Sequence, residues 1–129
     1  MITTGDVENI LFRDLKKYGI KQFRKNAIPS GPVKDERLIV LCGTLETSTI
    51  WKNAFVNVNV CVPDIKGEAN TKRLTEIERD LYLIGSVSEY DDTVYRYSVD
   101  STRQEEDAAL SCHFVNVRVL FEVLNVKNK

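Results

Sequence analysis

Two stretches of this chain alternate valine with polar residues at a strict two-residue period. Val56, Val58, Val60 and Val62 fall on one side and Asn57, Asn59 and Cys61 on the other. Val115, Val117, Val119, Phe121 and Val123 repeat the pattern, with Asn116, Arg118 and Glu122 opposite them and Phe114, Leu120 and Leu124 interleaved. Successive strand residues point to opposite sides of a sheet, so each run predicts a strand whose valine side faces a core. The first spans about Ala54 to Val62 and stops at Pro63; the second spans about Ala109 to Val126, against an ordinary strand of about five or six residues. A strand that long outruns a small core. Its excess is expected to bend over the domain or to pair with a neighbouring subunit at an open edge.

Helical periods flank these strands. Val7, Ile10, Leu11, Leu15 and Tyr18 recur at three- and four-residue steps and predict a helix from about Asp6 to Tyr18 with Gly19 as its stop. Leu74, Ile77, Leu81 and Ile84 predict a second, capped by Asn70 or Thr71 and closed by Gly85. Between Lys21 and Glu36 the sequence Ile-Pro-Ser-Gly-Pro reads as an ordered crossing loop. Leu38–Cys42 is a short apolar run ended by Gly43, which favours a buried strand, although periodicity alone does not separate it from a helix. Tyr95, Tyr97 and Val99 alternate as a further strand. The expected fold class is α+β, in the order α-β-β-α-β-β: a four-stranded, mainly antiparallel sheet with two helices packed on one face. Hairpins are expected across Thr44–Asn53 and Asp100–Asp107.

A length of 129 residues fits one domain, 1–129. Eighteen basic residues against nineteen acidic ones leave a formal charge of −1, which provides no general field for nucleic acid. Met1–Asp6 lacks the basic and apolar segments of a secretory signal, and no window reaches the ~20 apolar residues of a membrane helix. Cys42, Cys61 and Cys112 are an odd number in apolar settings, which suits reduced core thiols in a cytosolic compartment.

No motif for catalysis, cofactor binding or metal binding stands out. The glycines form no phosphate loop. Cys112 and His113 suggest a nucleophile pair, but neighbours on a strand point to opposite faces. Glu76, Glu78 and Asp80 read as a solvated helix face beside Arg73 and Arg79. Glu105, Glu106 and Asp107 have the oxygen-rich character a divalent cation wants, but read more simply as a solvated hairpin loop. Trp51, in a polar turn, is a candidate interface anchor or a ring folded back on the sheet. The residues singled out for contacts are Trp51, Arg103, Glu105, Glu106, Asp107, Asn116 and Arg118.

A helix core Ile10-Leu11-Phe12-Arg13-Asp14-Leu15 is followed by the Pro-Ser-Gly-Pro crossing loop, the Val-Asn-Val-Asn-Val strand, a helix after an acidic loop, and a final His-Phe-Val-Asn-Val-Arg-Val-Leu-Phe-Glu. In this order and pattern, from about Val7 to Val126, the chain resembles the tail terminator and tail completion proteins of long-tailed bacteriophages and prophages. It departs from them where Glu36 and Arg37 replace the proline usual before the first strand. The resemblance implies a non-catalytic structural protein without cofactor or small-molecule substrate. It implies a homo-oligomeric ring, usually of six subunits, that caps the tail tube and contacts the tube protein and the head–tail connector. It further implies residence in the bacterial host cytoplasm during assembly and then in the virion tail. The competing readings are a non-catalytic bacterial ligand-binding or regulatory domain that uses an exposed sheet face, and a small hydrolase around Cys112 and His113.

Overall fold

The valine runs form the centre of a larger sheet than their number suggests. A computed structural model describes residues 1–47 and 50–124, in the order α1 (Thr4–Leu15), β1 (Lys21–Arg24), β2 (Arg37–Cys42), β3 (Trp51–Pro63), α2 (Thr71–Leu81), β4 (Gly85–Tyr90), β5 (Thr93–Asp107) and β6 (Cys112–Leu124). The six strands lie β1-β2-β3-β6-β5-β4 in one curled, half-barrel sheet, in which β1 and β2 are parallel and every other pair is antiparallel.

The expectation of a four-stranded, mainly antiparallel sheet in the order α-β-β-α-β-β is therefore corrected on strand count and on topology. β1 lies inside the stretch read as a crossing loop. Its four residues, Lys-Gln-Phe-Arg, show no apolar period, and they are a strand because Lys21–Arg24 align with Arg37–Val40 of β2. β4 starts at Gly85, the residue expected to close the second helix; α2 ends at Leu81, and Gly-Ser-Val-Ser-Glu-Tyr has no buried residue to mark a strand. The β4–β5 hairpin turns through Asp91 and Asp92, both at positive φ (52° and 59°), as a two-residue turn of type I′ requires. An Asp-Asp pair is a weak signal for such a turn, whereas Asn-Gly is a strong one.

The second hairpin also moves. Asp100–Asp107 belong to β5, with a bulge between Val99 and Ser101, and the chain reverses through the 3₁₀ turn Ala108–Leu110, where Asp107 Oδ1 accepts from Leu110 N at 3.3 Å. Trp51 starts β3 and is not in a turn; of the expected Thr44–Asn53 connection, positions 48 and 49 lie outside the described residues. The long strand is β6, which starts at Cys112; the part of the expectation beyond Leu124 lies outside the described residues. It is not an edge: β3 pairs it over Cys112–Leu124 and β5 over Cys112–Val123. Its length is satisfied within the chain, so the argument from an unpaired overlong strand falls.

Both helices pack on the valine side. Val7, Ile10, Leu11 and Leu15 of α1 and Leu74, Ile77 and Leu81 of α2 share one buried cluster with the valines of β3 and β6. α1 starts in a capping box, where Thr3 Oγ1 accepts from Asp6 N at 3.2 Å and Thr3 N donates to Asp6 Oδ2 at 2.9 Å. The sheet wraps α1 from both sides. Gln22 of β1 donates to the Phe12 carbonyl and Cys42 N of β2 to Glu8, while Tyr97 of β5 donates to Asp14 and Arg13 donates to Tyr95. A second, smaller core lies on the opposite face, where Val33 of the crossing loop covers Ile39, Cys61 and Cys112 and is tied down by Val33 N donating to Leu110 O at 2.8 Å. The loop covers only that end of the outer face.

Candidate interaction face

Strand alternation puts Trp51, Asn53, Phe55, Asn57 and Asn59 of β3 on the outer face, beside Asn116, Arg118, Leu120 and Glu122 of β6 and Arg96, Ser98, Arg103 and Glu105 of β5. Six of the seven contact residues expected from the sequence share this face: Trp51, Arg103, Glu105, Asp107, Asn116 and Arg118. Glu106 is the exception. It points to the helix side, where its Oε2 is 3.8 Å from His113 Nε2.

The face is organised by arginines lying on aromatic rings. The Arg96 guanidinium sits 4.0 Å from the Trp51 ring centre and also bonds Glu122 at 2.9 Å. Arg118 sits 3.8 Å from the Phe55 ring centre and 3.8 Å from Asp100. Arg103 Nε pairs with Glu105 at 2.6 Å. Between them Asn116, only 6% exposed, donates through Nδ2 to Asn57 Oδ1 at 3.2 Å and Asn59 Oδ1 at 2.7 Å. Arg96, Arg103 and Arg118 thus each have a carboxylate of their own, and this part of the face presents rings and guanidinium planes whose charge is offset. Exposed pairs of this kind contribute about 0–1 kcal/mol each to stability. Aromatic and arginine side chains are, however, the types that anchor protein interfaces. Phe55 and Arg96 were missed in the sequence. Phe55 is in phase with Trp51, at odd positions of β3, so the signal was present; the Arg96 contact depends on the β5–β6–β3 register.

Cys112 and His113 are not brought together. Cys112 packs under the crossing loop with Cys61, whereas His113 faces the helix side and Nδ1 lies 2.7 Å from Asp64 Oδ1. Burial pushes the Cys112 thiol up to about 12, helped by Cys61, and pushes Cys42 up to about 11, helped by Glu8; burial also raises Cys61. A thiol held protonated is a poor nucleophile. The folded chain keeps protons that unfolded thiols lose near 9.0, so this contribution to stability is complete below that pH and declines as pH rises from about 9 to about 12. Denaturant midpoints are expected to fall between pH 8 and pH 10.5, and a Cys112→Ala variant should show a smaller fall. An equal fall in that variant would show that other groups cause it.

Among the described residues, no cluster of three or more His, Cys, Asp or Glu side chains is arranged to hold a metal ion, and no helix is long and apolar enough to cross a membrane. The fold and face define an α+β protein: a curled six-stranded mixed sheet with two helices on its inner side and a charge-paired aromatic outer face. A solved structure matches this chain over 100% of both lengths, with a TM-score of 0.58 and 10% sequence identity, a likeness that shows the fold alone. No family model and no curated protein matches the sequence.

Proposed function

We propose that this chain is a structural tail protein of a long-tailed phage or prophage, resembling the tail terminators. In this reading it caps the tail tube and joins it to the head–tail connector as a ring, assembling in the bacterial host cytoplasm and ending in the virion tail. The observation that carries the reading is the outer face. Trp51 and Phe55 lie under Arg96 and Arg118 on rigid strands, both arginines already have a carboxylate, and such a surface suits another protein better than a polyanion or a small substrate. The sequence resemblance supplies the phage context.

The test is complementation of a phage from which the gene has been deleted. Deletion is expected to leave tails of unregulated length or tails without heads. The variant Trp51→Ala, Phe55→Ala, Arg118→Glu should fold and yet lower virion yield about tenfold or more, since loss of interface anchors costs about 2 kcal/mol or more. Normal yield from that variant removes the face from the function, and normal virions without the gene remove the tail assignment.

A further inference from the structure

The crossing loop and β1 enclose a pocket of about 370 Å³ on the outer side of the sheet, walled by Phe23, Pro29 and Pro32 and carrying Lys21, Lys34 and Arg37. Arg37 is the unusual member, because it is only 7% exposed. Its polar and ring contacts are one hydrogen bond to the Pro29 carbonyl at 3.3 Å and the Phe23 ring centre at 5.9 Å; among the described residues it takes part in no ion pair. A guanidinium has five donors and is costly to bury without an anion. Two carboxylates also line the pocket. Glu36 is already held by Arg73 in a two-bond pair at 2.6 and 2.8 Å, and Asp35 is exposed. The pocket therefore keeps an excess of positive charge with apolar walls, which is the chemistry of a carboxylate site.

β1 is one open end of the sheet and β4 the other. The two ends differ in charge. From Lys16 to Lys34 the sequence contains no carboxylate, whereas β4 and its turn carry Glu89, Asp91 and Asp92. Val87 and Glu89 stand opposite Arg96 and Val94 of β5 and so belong to the outer face, the same face as Lys21 and Phe23, which stand opposite Arg37 and Ile39. Val87 is 76% exposed, and β4 has no proline to block pairing. β1, β2, β6 and β4 all run in one direction. A second copy rotated about an axis along the strands would thus continue the sheet as a parallel pair, with Val87 against Lys21 and Glu89 against Phe23 at the wall of the pocket.

We propose that the Arg37 pocket is a carboxylate-binding site and that its occupant is Glu89 on the β4 edge of a second copy of this chain. The pairing is head to tail, so it closes into a ring when the rotation permits. It deepens the assembly described above and rests on that reading for its closure.

The test uses isotope-labelled wild-type protein titrated with unlabelled protein into the millimolar range, with nuclear magnetic resonance reporting on the Arg37 side chain and the Gln22–Arg24 amides. Unlabelled wild type is expected to shift these signals, and unlabelled Glu89→Lys, changed at an exposed site, should require at least about tenfold more protein for the same shift. No movement of these signals overturns the proposal, as does equal movement with Glu89→Lys. Movement caused by inorganic phosphate but not by the second copy also overturns it, leaving a small-anion pocket. Normal virions without the gene would remove the tail function and leave this contact standing, whereas unmoved Arg37 signals would remove the contact and leave that function.

Discussion

Phe121→Ala is expected to lower stability by about 3–5 kcal/mol, the range for a fully buried aromatic. Phe121 is 0% exposed on β6, with its ring centre 5.3 Å from that of Tyr95 and 5.7 Å from that of Tyr97, both rings nearly parallel to it. Its partner across the β3 ladder is Ala54, too small to fill a gap. The two tyrosines cannot easily collapse inward either, because their hydroxyls are held by α1: Arg13 donates to Tyr95 at 2.8 Å, and Tyr97 donates to Asp14 at 2.7 Å. The cavity should therefore persist, which puts the cost at the upper end of the range. Against a typical total of about 5–15 kcal/mol, such a loss unfolds a substantial fraction of the protein. Urea unfolding should show a lower midpoint with an unchanged slope. A midpoint within experimental error of wild type would show that the three-ring stack carries little of the stability.

Asp14→Ala should destabilise by about 2–3 kcal/mol, more than a surface carboxylate ordinarily does. Asp14 accepts from the buried Tyr97 hydroxyl and pairs through Oδ1 with Arg13 Nε at 3.0 Å. Burial raises the Tyr97 pKa, and the neighbouring Asp14 carboxylate raises it further, so the hydroxyl remains a donor throughout the accessible pH range. Removing Asp14 leaves that donor without its partner, which costs about 1–3 kcal/mol, and loosens Arg13 from Tyr95 as well. Tyr97→Phe removes the donor together with its need and should cost less, about 1 kcal/mol. The double variant should then be no worse than Asp14→Ala alone. Additive losses would show that the two residues act independently and that the bond from α1 to β5 does not hold the helix in the curl of the sheet.

The sequence by itself determined the middle of this protein. The two-residue period of Val56–Val62 and Val115–Val123 made two strands certain, because only a pleated strand puts every second residue on one side. The period of Val7, Ile10, Leu11 and Leu15 did the same for α1, and of the two expected caps for α2, Asn70 and Thr71, Asn70 takes the position. The nine residues Val56, Val58, Val60, Leu74, Ile77, Leu81, Val115, Val117 and Val119 are all buried, as that patterning requires. What failed was everything set by partners distant in sequence. β1 and β4 are edge strands with one neighbour each, so only half of their backbone bonds and little of their surface depend on the core, and their side chains carry little of a strand's period. Whether β6 was an edge or a centre depended on β5 being fifteen residues long, and the charged segment Asp100–Asp107 read as a loop because its outer side is solvated. The face and the pocket are products of register. Arg96 reaches Trp51 across β6, and Arg37 is buried because Pro29 and Phe23 close over it; no local period encodes a contact between strands, so only the tertiary structure decided which charges meet which rings.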